Sequence, residues 1–230
     1  MRAILLAAGY GTRLRPLTDT IPKCLVPIHG QPLLDIWLQN LCKAGVGPIL
    51  VNTHYLAEQV VAHVLSGRYR EQVTLVHEPE LLGTAGTLIQ NLEFLKDHDG
   101  LLIHADNYCK ADMADLVRAH QRRPSGCLMT MLTFRTDEPS SCGIVALDEQ
   151  GVVVEFHEKA SSPPGNLANG AVYLLSAEFI AILKRDLHTA KDFSTEVLPR
   201  FVGRIYTFET VETFLDIGTP ERYQKANTLE

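Results

Sequence analysis

The sequence predicts an α/β fold, with a Rossmann-like, doubly wound and mostly parallel sheet followed by a β-rich half. Two observations predict it. Strand and helix patterns alternate through the first half of the chain, whereas short strand patterns separated by turn signals fill the second half. Ligands of an open sheet of this kind bind at the carboxyl ends of its strands, so we expect the functional residues at that edge.

The elements of the first half follow from apolar periodicity. An apolar strand ends at Ala8, and a helix begins at Pro32 and ends at Gly45, in keeping with the preference for proline at helix starts and glycine at helix ends. The remaining patterns predict strands at residues 48–52, 73–76 and 101–105 and helices at residues 56–65 and 87–95. This repetition of strand, helix and strand is typical of a parallel sheet.

Strand patterns dominate the second half. They lie at residues 127–134, 143–147, 152–156 and 170–175, with a hairpin turn at residues 148–151. We expect these strands to extend the sheet and to form a lid for a second substrate.

The turn after the first strand has the residues of a phosphate-binding loop. Gly9 and Gly11 allow the backbone to turn sharply and to bring its N–H groups close to an anionic ligand. Arg13 and Lys23 then supply full positive charge for phosphate oxygens. This order of residues predicts a cradle for a nucleoside triphosphate.

Two competing glycine motifs do not fit this loop. A Walker A loop needs Gly-Lys followed by Ser or Thr, which the segment lacks. A dinucleotide-binding loop needs a third glycine where Leu14 stands, and an acidic residue at the end of the next strand, where residues 51–53 are Val-Asn-Thr. The sequence therefore disfavours hydride-transfer chemistry.

Composition narrows the class of protein further. The 230 residues suit a single α/β domain, and the net charge of −6 without a basic cluster disfavours a nucleic-acid partner. The five cysteines are odd in number and scattered, which is typical of reduced thiols in a cytoplasmic protein. No apolar stretch is long enough for a membrane span, so we expect no membrane partner. The sequence leaves the oligomeric state open, a homo-oligomer included.

Residues 5–27, from the first strand through the Pro22-Lys23 pair, resemble the signature of the sugar nucleotidyltransferases, or NDP-sugar pyrophosphorylases. In that family the glycine loop, an arginine and a Pro-Lys pair hold the triphosphate. The resemblance extends to about Tyr223. It implies one nucleotidyltransferase domain over residues 1–230, with a nucleotide-binding half at about 1–125 and a sugar-phosphate-binding half at about 126–230.

The resemblance also implies the residues of the nucleotide site. It assigns nucleotide binding to Ala7, Ala8, Gly9, Gly11, Thr12, Arg13, Lys23, Glu78 and Gly83. It assigns catalytic roles to Arg13, Lys23, Asp106 and Lys159. Asp106 and Asp216 resemble the two metal-binding aspartates of the family, which implies Mg²⁺ as the cofactor, although Ala105 stands where the family usually has glycine.

The sugar site is implied by residues that lie mostly in the second half. They are Asn107, Gly143, Glu158, Lys159 and Asn169. In the family the lysine of a Glu-Lys step binds the sugar phosphate and the glutamate binds a sugar hydroxyl. This chain departs from the family at Ala160, at Cys142 and in the order Asn-Gly-Ala from Asn169, and these departures leave the sugar undetermined.

The implied reaction joins a nucleoside triphosphate to a sugar 1-phosphate. Glu78-Pro79 and the segment at residues 82–86 look like the guanylyltransferase version, which uses GTP with mannose 1-phosphate or a manno-heptose 1-phosphate. Guanine presents two adjacent hydrogen-bond donors, and the carboxylate of Glu78, or failing that of Glu80, can accept a hydrogen bond from each. Alternatives are a uridylyltransferase acting on a sugar such as N-acetylmuramate 1-phosphate, a non-catalytic regulatory subunit, and a glycosyltransferase.

Overall fold

The structure is a computed structural model that describes residues 1–96 and 98–229. It divides into two compact units. The first unit comprises Met1–Leu81, Ile103–Asp112 and Glu212–Glu230, and the second comprises Leu82–Leu102 and Met113–Val211. The units therefore interleave along the chain. The binding halves at about 1–125 and about 126–230 stay a prediction.

Strands and helices are numbered along the chain. The strands are β1 Arg2–Leu6, β2 Pro27–Ile28, β3 Gln31–Pro32, β4 Ile49–Thr53, β5 Val73–His77, β6 Gly100–His104, β7 Asn107–Cys109, β8 Met129–Arg135, β9 Gly143–Leu147, β10 Val153–Glu158, β11 Leu167–Leu175, β12 Ile205–Glu209 and β13 Phe214–Asp216. The α-helices are α1 Leu33–Lys43, α2 Ala57–Ser66, α3 Thr84–Gln90, α4 Leu92–Leu95, α5 Met113–Gln121, α6 Ala177–Asp186 and α7 Pro220–Thr228. Short 3₁₀ turns lie at Thr12–Leu14, Leu17–Asp19, Lys23–Leu25, Pro139–Ser141 and Leu198–Phe201, and a π-helical turn lies at Phe193–Val197.

The first unit contains the parallel strands that the alternating pattern predicts. β1 pairs with β4, and β4 pairs with β5, both in parallel register. α1 buries its apolar face, including Trp37, whose indole Nε1 donates to the carbonyl oxygen of Asn107 at 2.9 Å. Parallel strands with connecting helices confirm the predicted α/β class.

A short antiparallel pair, β7 and β13, joins distant parts of the chain in the first unit. Its register places Asp216 opposite Asn107, the residue that follows Asp106. Two carboxylates that are far apart in sequence are thereby carried to neighbouring backbone positions.

The second unit is rich in β-strands, as predicted. β10, β9, β11 and β8 pair antiparallel in that order, and β12 pairs parallel with β8. The register of β11 shifts between Asn169 and Tyr173, so the backbone bulges there. The aromatic rings of Tyr173 and Phe179 pack against Phe193, with centroids 4.7 and 6.1 Å away.

Two elements differ from their predicted form. The helix predicted at residues 87–95 is two helices, α3 and α4, with a break at Asn91, whose Nδ2 donates to the Thr87 carbonyl at 2.8 Å. An amide that bonds a nearby carbonyl competes with the helical ladder. The strand predicted at residues 170–175 begins earlier, at Leu167, because it continues through the bulge. Among the described residues, no helix is long and apolar enough to cross a membrane.

Candidate functional site

Of the two glycines predicted in the loop of the first unit, only Gly11 is required by the backbone conformation and the packing of the protein itself. Gly11 has a left-handed backbone, with φ of 64°, and a Cβ there would lie 2.9 Å from Cγ2 of Thr18. Thr18 Oγ1 also donates to the Gly11 carbonyl at 2.7 Å. A Cβ at Gly9 would meet no described atom within 4 Å, so packing does not require glycine there. Ala7 and Ala8 are buried, and Thr12 begins the following 3₁₀ turn.

Lys23 is a nearly buried cation at the centre of the first unit's charged cluster. It is 7% exposed and begins a 3₁₀ turn after Pro22. Its Nζ donates to Asp106 Oδ2 at 2.9 Å and lies 3.5 Å from Asp216 Oδ1. Both predicted metal-binding carboxylates therefore converge on one ammonium group.

Asp106 lies in the turn between β6 and β7, separated from the end of β6 by Ala105, and keeps part of its side chain exposed. Burial raises the pKa of Asp106, but the charge of Lys23 and its hydrogen bond outweigh this effect and hold the pKa below its usual value. Asp106 is therefore an anion at neutral pH. Asn107, the next residue, is buried in β7.

Three cationic side chains surround Asp216. Besides Lys23, Nη2 of Arg13 lies 3.7 Å and Nη1 of Arg222 lies 3.3 Å from its Oδ2. Arg13 remains largely exposed, with 67% of its side chain accessible, whereas Arg222 is mostly covered. Arg13 can therefore keep its contact with Asp216 and still offer donors to a ligand.

Gly218 and Arg222 belong to this cluster and were not predicted. A Cβ at Gly218 would lie 2.8 Å from both Nη2 of Arg13 and Oδ1 of Asp216. Arg222 lies in the first turn of α7, which Thr219 caps by accepting from the Arg222 N–H. Both residues follow Asp216 closely in the sequence, but only the folded geometry shows that they touch it.

Glu78 is buried at the end of β5, with an exposed fraction of 2%. Its Oε1 accepts from Nδ2 of Asn52 at 2.9 Å, and Asn52 in turn accepts from the N–H of Ala7 at 2.7 Å. Glu80, the fallback for base recognition, is exposed. Asn52 was not predicted as a site residue, since the dinucleotide-binding motif gives that strand end a role only when it is acidic.

Gly83, a predicted nucleotide-binding residue, lies in the second unit. Its φ is 81°, and a Cβ there would overlap the backbone carbonyl of Lys191. That carbonyl also accepts from the N–H groups of Ala85 and Gly86, at 2.9 and 3.4 Å. The turn before α3 is thus fixed to Lys191 by its backbone, and glycine is required at position 83.

Three of the predicted sugar-binding residues cluster at the end of the β9–β10 pair in the second unit. Gly143 pairs with Glu158, and a Cβ at Gly143 would lie 2.6 Å from Glu158 Oε2. Gly143 therefore makes room for this carboxylate. Burial raises the pKa of Glu158, against the lowering effect of Lys159, whose Nζ lies 3.6 Å from Oε1. Lys159 is 67% exposed, so its ammonium is accessible.

Asn169 is fixed by the bulge in β11. Its Oδ1 accepts from the N–H of Ala171 at 2.9 Å, and its Nδ2 donates to the Tyr173 hydroxyl at 2.7 Å. Burial raises the pKa of Tyr173, a completely buried side chain that also bonds Ser194. Neither Tyr173 nor Ser194 was predicted. An aromatic residue in a strand, such as Tyr173, is interpreted from sequence as part of the core.

The donor set of the first unit fits Mg²⁺ in one particular mode. In the described part of the chain, no group of three or more His, Cys, Asp and Glu side chains is arranged to hold a metal ion. Mg²⁺, however, is usually bound by one or two carboxylates together with substrate phosphates rather than by an all-protein cage. Asp106 and Asp216 both contact the Lys23 ammonium, so the two carboxylates lie close enough to act on a single cation.

Comparison with known sequences gives one family. Residues 2–230 match the family described as Nucleotidyl transferase. The chain is 32% identical over 230 residues to the mannose-1-phosphate guanylyltransferase catalytic subunit beta of Danio rerio, covering 97% of this chain and 62% of that protein. It is 30% identical over 250 residues to a glucose-1-phosphate adenylyltransferase of Thermotoga sp. strain RQ2, covering 98% and 59%. The chain thus spans less than two thirds of these relatives.

Solved structures share the fold. A Bacillus anthracis protein provisionally named glucose-1-phosphate thymidylyltransferase, in complex with sucrose, superposes with a TM-score of 0.86 at 22% identity, covering 99% of this chain and 94% of that one. HddC from Yersinia pseudotuberculosis, complexed with GMP-PN, superposes with a TM-score of 0.80 at 27% identity, covering 98% and 97%. These likenesses confirm the Rossmann-like fold that the sequence predicts.

Proposed function

The chain belongs to the nucleotidyl transferase family, and on that premise we propose that it joins a nucleoside triphosphate to a sugar 1-phosphate. A phosphate oxygen of the sugar 1-phosphate attacks the α-phosphorus of the triphosphate. The bond between the α-phosphorus and the oxygen that bridges it to the β-phosphorus breaks, and pyrophosphate leaves. The observation that carries the proposal is the convergence of Asp106 and Asp216 on Lys23, beside the glycine loop and Arg13.

The first unit supplies positive charge for the triphosphate. No protein nucleophile is needed, because the attacking phosphate is an anion at neutral pH, so catalysis consists of alignment and charge neutralisation. Lys23 is held nearly buried between two carboxylates, which fixes its ammonium, while Arg13 is accessible. We assign both to the phosphate oxygens of the nucleotide and of the leaving pyrophosphate.

Asp106 and Asp216 would hold Mg²⁺ together with the substrate phosphates, and the ion would neutralise phosphate charge there. Arg222 and Gly218 keep Asp216 in place, the first through its ion pair and the second by leaving room for the carboxylate. These two residues therefore position Asp216 rather than contact substrate.

The second unit supplies the candidates for the sugar 1-phosphate. We assign its phosphate to Lys159, whose ammonium is accessible, and its hydroxyls to Glu158 and Asn169, whose side chains are already oriented. Gly143 contributes to this sugar site indirectly, because the absence of a side chain there leaves room for the Glu158 carboxylate.

Lys159→Ala is expected to raise the KM for the sugar 1-phosphate by about 10-fold or more with little change in the KM for the nucleotide, because it removes one charge-assisted contact. Arg13→Ala is expected to raise mainly the KM for the nucleotide, or to abolish activity. Steady-state kinetics with each substrate varied in turn measures the difference. Equal effects of both changes on both substrates would show that the two binding roles are not divided in this way.

GTP with mannose 1-phosphate or a manno-heptose 1-phosphate is the substrate pair that we propose. The Danio rerio relative is named a guanylyltransferase, and the HddC structure holds a guanine nucleotide analogue, which supports this choice. The Thermotoga relative, at a similar identity, is named an adenylyltransferase, so similarity alone does not decide the base. A uridylyltransferase of the same fold is the alternative.

A matrix of nucleoside triphosphates against sugar 1-phosphates, read by pyrophosphate release, tests both the reaction and its substrates. GTP is expected to be preferred, and Glu78→Gln to erode the preference, because an amide tolerates a pyrimidine edge that a carboxylate disfavours. Glu80→Gln tests the fallback residue: it should leave the preference unchanged if Glu78 recognises the base, and should erode the preference if Glu80 does. A wild-type protein that favours UTP would support the uridylyltransferase instead.

The five cysteines are free thiols, as a reducing compartment requires, and a cytoplasmic location is part of the proposal. Burial raises the pKa of Cys24 to about 12, so this thiol, although adjacent to Lys23, stays protonated at neutral pH. A role for Cys24 as a nucleophile is therefore not part of the mechanism.

A further inference from the structure

Asn52, at the carboxyl end of β4, holds the start of the glycine loop with its side chain. The paired residues of β1 and β4 reach Leu5 and Val51, and Ala7 lies two residues further along. There the Ala7 N–H donates to Oδ1 of Asn52 at 2.7 Å. Asn52 is 3% exposed, so this hydrogen bond is shielded from water and costly to break.

Glu78 determines which way the Asn52 amide points. Nδ2 of Asn52 donates to Oε1 of Glu78 at 2.9 Å. A backbone N–H can only donate and a carboxylate can only accept. If the Asn52 amide were turned over, its NH₂ group would face the Ala7 N–H, so that two donors met. Its oxygen would face the Glu78 carboxylate, so that two acceptors met. In this buried setting, the carboxylate and the loop backbone together allow one orientation.

His54 gives a second connection between the loop and Glu78. Its Nδ1 lies 2.7 Å from the backbone carbonyl oxygen of Glu78, so Nδ1 carries the hydrogen in this bond. In the neutral imidazole Nε2 then accepts from the hydroxyl of Tyr10, the residue between the two loop glycines, at 3.0 Å. The loop is therefore tied to Glu78 at two points, through Asn52 and through His54.

We infer that Asn52 is a positioning residue that fixes the glycine-loop backbone and the Glu78 carboxylate in one arrangement. The inference rests on the proposed function, in which the loop binds the triphosphate and Glu78 recognises the base. A loop held in place before binding presents its N–H groups without reorganisation, which increases affinity. Loss of Asn52 should therefore weaken binding of every nucleoside triphosphate and leave the sugar 1-phosphate unaffected.

Asn52→Asp tests the inference with minimal change of shape. The substituted side chain can still accept from the Ala7 N–H, but it faces Glu78 with a second carboxylate in place of a donor. We expect the KM for each nucleoside triphosphate to rise about 10-fold or more, and the KM for the sugar 1-phosphate to change by less than about 2-fold.

Asn227→Asp is the matched control. Asn227 also bridges two groups of the first unit, accepting from the His29 N–H at 2.8 Å and donating to the Tyr223 carbonyl at 3.0 Å. It takes no part in the loop network. We expect this variant to leave both KM values unchanged, even if its Tm falls as much as that of Asn52→Asp.

Rescue separates positioning from a general loss of stability. Combining Asn52→Asp with Glu78→Gln reverses the hydrogen bond, since the glutamine amide can donate to the new carboxylate. The KM for nucleoside triphosphates should return to that of Glu78→Gln alone. The double variant also serves if Asn52→Asp does not fold.

Three outcomes are decisive. An unchanged nucleotide KM in Asn52→Asp would overturn the inference and leave the proposed function standing. Failure of the double variant to recover would overturn the positioning role in the same way. A wild-type protein that neither releases pyrophosphate with any substrate pair nor binds GTP by calorimetry would overturn the proposed function, and the inference with it.

Discussion

Asp106→Ala and Asp216→Ala are each expected to lower kcat by about 100-fold or more while leaving the fold intact, a scale typical of losing a charge-stabilising group. Each change removes one of the two carboxylates that share the Lys23 ammonium. If these carboxylates hold Mg²⁺ on the phosphates, the loss affects the chemical step more than substrate binding. Pyrophosphate release, measured over a titration of Mg²⁺, gives kcat and the dependence on the ion.

Asp19→Ala is a suitable control for both variants. Asp19 also lies in the first unit and forms an ion pair, with Arg15 at 3.1 Å, but both side chains are largely exposed. We expect kcat to be unchanged, because an exposed pair contributes little. Near-normal, chelator-resistant activity of Asp216→Ala would contradict the assignment of the metal ligands.

Lys23→Met is expected to lower kcat/KM for the nucleotide by about 100-fold or more, since it removes a fixed charge from the phosphate site while preserving most of the buried stem. Lys23→Arg retains the charge and should recover part of the activity, though not all of it, because a guanidinium differs in shape and donor geometry. Steady-state kinetics of the two variants gives the comparison.

The same variants report on the geometry of the carboxylates. In Lys23→Met, Asp106 and Asp216 lose the cation that they share, so added Mg²⁺ should raise the Tm more than it does in the wild-type protein. Thermal unfolding with and without Mg²⁺ measures this difference. An identical response in both proteins would contradict a Mg²⁺ site shared by the two carboxylates.

The sequence predicted only part of the charged cluster of the first unit. The loop motif pointed to Gly11 and Lys23, the resemblance to the sugar nucleotidyltransferases pointed to both aspartates, and the structure places these residues together. Gly218 could not be recognised in this way. The space that it leaves is occupied by Arg13, which comes from a segment about 200 residues earlier in the sequence, and no local pattern reveals that contact.

The same limit applies to buried polar residues. Asn52 is the penultimate residue of β4 and follows three apolar residues, and a sequence pattern does not show whether its amide faces solvent or the interior. Its role depends on Glu78, which is also buried, and on the N–H of Ala7 beyond the end of β1. Gly143 is similar, since the side chain that needs the space comes from the facing strand.

The elements themselves were predicted best where one local rule dominates. The parallel strands β1, β4 and β5 of the first unit lie within a residue or two of their predicted positions. The short strands β2, β3, β7 and β13 were not predicted, because two or three residues give no periodic pattern. The break between α3 and α4 was missed because the pattern of apolar residues continues through Asn91, and only the bond from its amide to Thr87 reveals the interruption.

The interleaving of the first unit has a consequence for synthesis of the protein. The chain leaves the ribosome from its N-terminus, so Lys23 and Asp106 exist long before Asp216, which lies on the last of the three segments. At roughly 5–20 residues per second, the second aspartate follows the first by about 5–20 seconds. During that interval β7 has no β13 with which to pair. A nascent or prematurely terminated chain that ends before residue 212 therefore has one of the two carboxylates, and the phosphate site becomes complete only with the final segment.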